Sequence, residues 1–116
     1  MEKTEKSEDR HSVDVLKECI ELQIRKGRDY QNPKSRITQS MHYPRGCATI
    51  LDIMQGKMIR MYSVMEAIEN DPDYEPNFES IEDSAMDLIN YASFFVSYAR
   101  GKMDGQEGLD WLGRKK

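Results

Sequence analysis

The chain has 116 residues, 17 basic and 21 acidic, with a formal net charge of -4, which bounds it to one domain. That balance argues against sequence-independent binding to nucleic acid and against an anionic membrane surface, but not against a small phosphorylated ligand held by a few basic groups. Cys19 and Cys47 show no CxxC spacing, no apolar run approaches the ~20 residues of a membrane span, and the opening MEKTEKSEDRH lacks the apolar core of a signal peptide. The expected setting is a reducing cytoplasm, with no membrane partner.

Residues Met1 to His11 are nearly all charged or polar and are expected to be disordered. Ser12 reads as an N-cap, with Asp14 in the first turn, opening a helix to about Lys26 with Gly27 as its stop. Val13, Leu16, Ile20 and Ile24 form one apolar stripe, and Val15, Cys19 and Leu22 a second. Two apolar faces on one helix call for two partners: the rest of its own domain and a second subunit. Glu18 and Glu21, three apart, project together from the polar sector.

Gly27 to Gly46 has no helical period and carries Pro33 and Pro44, so it reads as a long loop. It holds basic groups suited to a phosphorylated ligand, among them Arg28, Lys34, Arg36 and Arg45, and the rings of Tyr30 and Tyr43. Cys47 to about Asn70 is the strongest helix. Cys47, Leu51, Met54, Met58, Met61, Met65 and Ile68 repeat as a heptad-like seam. Lys57 and Arg60 point together off that seam, either to solvent or as a phosphate clamp. Gly56 in mid-helix is expected to allow a close approach by another helix or a ligand.

Asn70 to Ser80, with Pro72 and Pro76, is a second loop, and Ser80 caps a helix running on to Arg100. Ile81, Ala85, Leu88, Ala92 and Phe95 form its apolar stripe; Asp83, Asp87 and Asn90 lie above one another on another. Asp83 is three residues after Ser80, so it is open to a capping-box role as well as a ligand role. Asp87 is harder to assign to solvent: mid-helix aspartate has poor propensity, and its neighbours are apolar. Carboxylates from two helices, Glu18 and Glu21 with Asp83 and Asp87, would suit a hard cation such as Mg2+. Beyond Arg100, glycines break up a polar tail in which Leu109, Trp111 and Leu112 can form one docking turn. No strand signal is present. The expected fold is all-α: a small bundle of three main helices plus a short C-terminal turn, completed by oligomerisation, with the domain at 12–102 and a flexible or docking tail at 103–116.

ExxE (Glu18, Glu21), KGRDYQNP (Lys26 to Pro33), KMIR (Lys57 to Arg60) and EDSAMDLINYA (Glu82 to Ala92) together resemble the nucleotide modification associated domain family. These are small phage and bacterial proteins similar to the MazG-like, all-α nucleoside triphosphate pyrophosphohydrolases. The resemblance spans roughly Val13 to Lys102. It implies Mg2+ bound by Glu18, Glu21 and Asp87, with Asp83 beside them, and cleavage of a nucleotide between its α- and β-phosphates. Ser84 stands where the related ExxD motif has a glutamate.

On this resemblance Lys57 and Arg60 contact phosphates, with Lys26 or Arg28 helping. Asp29, Tyr30 and Asn32 shape the nucleoside pocket, and Asn90 or Tyr91 orients a ligand. The implied protein is a magnesium-dependent hydrolase of a canonical or modified nucleotide, acting as a homodimer or higher oligomer in the cytoplasm, that of the host if phage-encoded. The alternatives are a non-catalytic protein that sequesters a nucleotide, including a signalling nucleotide of host defence, and a purely structural helical oligomer.

Overall fold

A computed structural model describes residues 10–30 and 34–116, without the side chains of residues 29, 30 and 78–80. The expectations for the N-terminal stretch through residue 9 and for Asn32 therefore lie outside the described residues, as do the side-chain roles given to Asp29 and Tyr30. The fold is all-α, with α1 at His11–Tyr30, α2 at Cys47–Asn70 and α3 at Phe78–Ala99. A short 3-10 turn at Gln39–His42 interrupts the first loop. Among the described residues there is no strand, and one isolated bridge pairs Leu109 with Lys115.

The helix α3 lies between the other two, packing mainly on α2 and more lightly on α1. Against α2 it runs antiparallel: Cys47 Sγ, at the start of α2, reaches the Phe95 carbonyl near the end of α3, while Lys57 reaches back to Asp87. Against α1 it runs in the same sense, since Cys19 meets Met86 and, one turn on, Gln23 meets Asn90.

Each helix buries the face its sequence allows. On α1 the stripe Val15, Cys19 and Leu22 turns inward, with Cys19 fully buried. The other stripe turns out: Ile20 is 57% exposed and Ile24 59%. On α2 the inward line is Cys47 and Ile50, both buried, then Met54, Lys57, Met61, Val64 and Ile68, all half-buried, while Leu51, Met58 and Met65 face solvent. The seam expected from the sequence shares every second member with that line. The helix is apolar on both flanks of those shared positions, so periodicity alone does not choose between steps of three and four. Gly56 is exposed, and a Cβ there would meet no described atom within 4 Å.

The helix ends differ instructively from the sequence reading. The first helix passes through Gly27, with Arg28 in its last turn to complement the dipole. The third begins at Phe78, so Ser80 lies inside its first turn and Asn77, just before it, stands at the cap position. The capping-box reading of Asp83 loses its register. At the other end, Gly101 (φ 71°) closes α3 in a Schellman motif. Its N–H bonds the Tyr98 carbonyl, and the Lys102 N–H bonds Ser97.

The segment after α3 packs back on the bundle. Gln106 is buried; its amide donates to the Tyr98 carbonyl at 2.7 Å and its Oε1 accepts from the Met103 N–H at 3.0 Å. The Cys47 N–H, the first of α2, donates to the Trp111 carbonyl at 2.9 Å. Gly46 makes this contact possible with φ 57°, since a Cβ there would collide with the Trp111 carbonyl and the Tyr98 ring. The buried core of Tyr43, Cys47, Ile50, Tyr98 and Met103 sits at this end of the α2–α3 pair. No helix among the described residues is long and apolar enough to cross a membrane.

Candidate functional site

The core continues into the site through aromatic rings. Tyr43 packs on Tyr91 and Phe94, and those two meet edge to face with centroids 5.5 Å apart. On the far side of Tyr91 and Phe94, α1 crosses α3 and leaves a small recess of about 40 Å³. Gln23, Lys26, Asp87, Asn90, Tyr91 and Phe94 line it.

Asp87 is the electrostatic centre. Its side chain is 20% exposed, and its two oxygens go to two lysines from different helices. Lys26 of α1 approaches Oδ1 at 3.4 Å and Lys57 of α2 donates to Oδ2 at 3.1 Å. The charged Lys57 occupies a position in the otherwise apolar inward line of α2, which brings its ammonium to α3. Two ammonium groups thus face one carboxylate here, and ammonium groups are donors that a phosphate can use.

Beside Asp87 lies a network of neutral groups. Asn90 is only 8% exposed. Its Oδ1 accepts from Gln23 Nε2 at 3.2 Å, and the same nitrogen donates to Ser93 Oγ at 3.0 Å. Ser93 Oγ in turn donates to the Asn90 carbonyl at 2.6 Å, one turn back. These pairings tie α1 to α3 next to the lysines.

The remaining residues singled out in the sequence are placed less centrally. Glu18, Glu21, Arg28, Arg60 and Asp83 are exposed, although Glu18 and Asp87 both act on Cys19. Burial pushes the Cys19 thiol up first, and the two carboxylates add to it. The thiol points at the Met86 carbonyl and stays protonated, an inert packing group in place of a nucleophile. Ser84, where the related motif has glutamate, is buried at 4% exposure, a place with little room for a charged side chain.

The donor set decides what the site fits as it stands. Among the described residues no group of three or more acidic, histidine or cysteine side chains lies close enough to hold a metal ion. Both Asp87 oxygens already face ammonium groups, which a divalent cation would have to displace. As it stands the arrangement presents ammonium donors, groups that an anion can use.

Gln23, Ser93 and Phe94 were not singled out from the sequence. The signal for Gln23 was present, since Cys19, Gln23 and Lys26 follow one another at steps of four and three on one stripe of α1. Comparison of the chain with protein-family models, with curated proteins and with solved structures finds no match.

Proposed function

We propose that the chain binds a nucleotide, with its phosphate on Lys26 and Lys57 and its nucleoside toward Asn90, Tyr91 and Phe94. The observation that carries this reading is the convergence of two lysines from two helices on Asp87, at the mouth of a recess lined by aromatic rings and amides. An arriving phosphate takes over donors that are already positioned, so little ordering is needed to bind it. The resemblance of KGRDYQNP, KMIR and EDSAMDLINYA to the nucleotide modification associated domain family supports the same substrate class.

Two versions of this function differ in metal. In the first, the protein holds its ligand without a divalent cation and without turnover, as a sequestering protein would; the lysine pair on Asp87 favours it. In the second, it is a magnesium-dependent pyrophosphohydrolase in which Glu18, Glu21, Asp83 and Asp87 gather on the cation. Supporting the second is the resemblance of the Glu18/Glu21 pair and of Asp87 to the metal-binding motifs of the MazG-like enzymes.

Calorimetric titration with nucleoside mono- and triphosphates, with and without Mg2+, separates the versions when run beside a pyrophosphate-release assay. The first version is expected to show metal-independent binding and no product. Product formed only with Mg2+, and lost in Asp87→Asn, would move the assignment to the hydrolase. Absence of binding by every phosphorylated compound would reject both.

A further inference from the structure

The hydrogen-bond network beside Asp87 fixes the direction of two side-chain amides. A carbonyl oxygen can only accept, so the single hydroxyl proton of Ser93 is committed to the Asn90 carbonyl 2.6 Å away. Ser93 Oγ must then accept from Gln23, which makes the Gln23 atom at 3.0 Å its NH2 group. That NH2 also faces Asn90 at 3.2 Å, so the Asn90 atom it meets must be the oxygen. Among the described residues, nothing is bonded to the other halves of the two amides, Asn90 Nδ2 and Gln23 Oε1. Both residues line the same recess.

We infer that this recess reads the edge of a nucleobase, with Asn90 Nδ2 as donor and Gln23 Oε1 as acceptor. A planar heterocycle that carries a carbonyl or ring nitrogen beside an N–H has the matching pair. A phosphate does not: it offers acceptors only and would leave Gln23 Oε1 opposed to negative oxygen. The size agrees with an edge and not a whole base, since a water needs about 10–15 Å³ by the same kind of measure. The ring edge enters, and the sugar stays outside toward Lys26. Tyr91 and Phe94 supply the apolar part of the lining. Ser93 never touches the ligand; it is a positioning residue that holds the Gln23 amide in the reading orientation.

This inference rests on nucleotide binding at the lysine pair, and the test is built to separate the two. The full chain is titrated with the four ribonucleoside 5′-monophosphates, with ribose 5-phosphate and with inorganic pyrophosphate. At least one nucleotide is expected to bind about tenfold or more tightly than ribose 5-phosphate, the scale of one or two satisfied hydrogen bonds. Gln23→Met, close in size and without the acceptor, is expected to close that gap, read as the ratio of nucleotide to ribose 5-phosphate affinity within the same variant. Ser93→Ala, a change at an exposed position, is expected to narrow the gap by letting the Gln23 amide turn. Equal affinity for ribose 5-phosphate and every nucleotide overturns base reading and leaves phosphate binding standing. A gap that survives Gln23→Met also overturns it. Failure of every phosphorylated probe to bind overturns both.

Discussion

At the scale of single residues, Asp87 organises the site, and its pairing has a modest energetic cost and benefit. Lys26 is half exposed and Lys57 less so, so each ion pair is screened and worth at most about 1 kcal/mol. Asp87→Asn is expected to lower stability by about 1 kcal/mol in urea unfolding, because it leaves two ammonium groups together without their counter-charge. Lys57→Met is expected to be nearly neutral in the same measurement, since a methionine there extends the half-buried line of Met54 and Met61. A large loss in Lys57→Met, or a gain in Asp87→Asn, would contradict this account of the centre. Asp87 was legible in the sequence because an aspartate flanked by Leu88, Ile89 and Tyr91 needs a partner. Its partner Lys57 was legible as a basic group, but its inward direction was not. That depends on which side of α2 packs on α3, and α2 is apolar on more than one side.

At the scale of elements, the C-terminal segment works as a clasp on the α2–α3 end. The Trp111 carbonyl satisfies the first amide of α2, Gln106 satisfies a carbonyl in the last turn of α3, and Asp110 ties the clasp to itself. The Asp110 carboxylate accepts from the Leu112 and Arg114 amides at 2.9 Å and from Arg114 Nε at 2.8 Å. The Arg114 amide is the main cause holding this carboxyl below the ordinary range, helped by the Arg114 side chain and the Leu112 amide. A carboxyl lowered on folding contributes stability above its ordinary value of about 3.9 and loses it as pH falls through the folded value.

Near-ultraviolet circular dichroism of the single tryptophan, Trp111, which packs edge-on to Phe95, is expected to report clasp loosening below about pH 4. Asp110→Asn should show a weaker clasp signal already at neutral pH and less acid dependence; an unchanged acid profile would contradict the assignment. The limits of α2 were legible, because Pro44 and Gly46 precede it and Asp71 and Pro72 follow it. The clasp was legible only as a docking turn at Leu109, Trp111 and Leu112; where it docks was not, because the Cys47 amide meets a Trp111 carbonyl some sixty positions away and no local pattern records that.

At the scale of the whole molecule, the core is small and apolar side chains are left outside it. Leu16, Ile20 and Ile24 form a continuous exposed stripe on α1, and Ile59, Tyr62 and Met65 lie exposed on α2. The radius of gyration is 17.8 Å, against about 13 Å for a compact chain of this length. Contiguous apolar stripes of this kind mark association surfaces. The account therefore predicts a homodimer or higher oligomer by sedimentation equilibrium, and dissociation when Ile20 and Ile24 are both changed to glutamate. A monomeric wild type at micromolar concentration would contradict it. The presence of two apolar faces on α1 was legible from its stripes. Which face turns inward was settled by Cys19 and Gln23 meeting α3, a tertiary choice that the helical period leaves open.

The central claim is that Lys57 and Lys26 hold the phosphate of a nucleotide. Calorimetry of the wild type and of Lys57→Met, with the tightest-binding nucleotide and no divalent cation, tests it most directly. The account predicts saturable binding by the wild type and at least a tenfold loss in the variant, the scale of one charge-assisted contact, with the fold retained. Equal binding by both proteins, or none by the wild type, would contradict it.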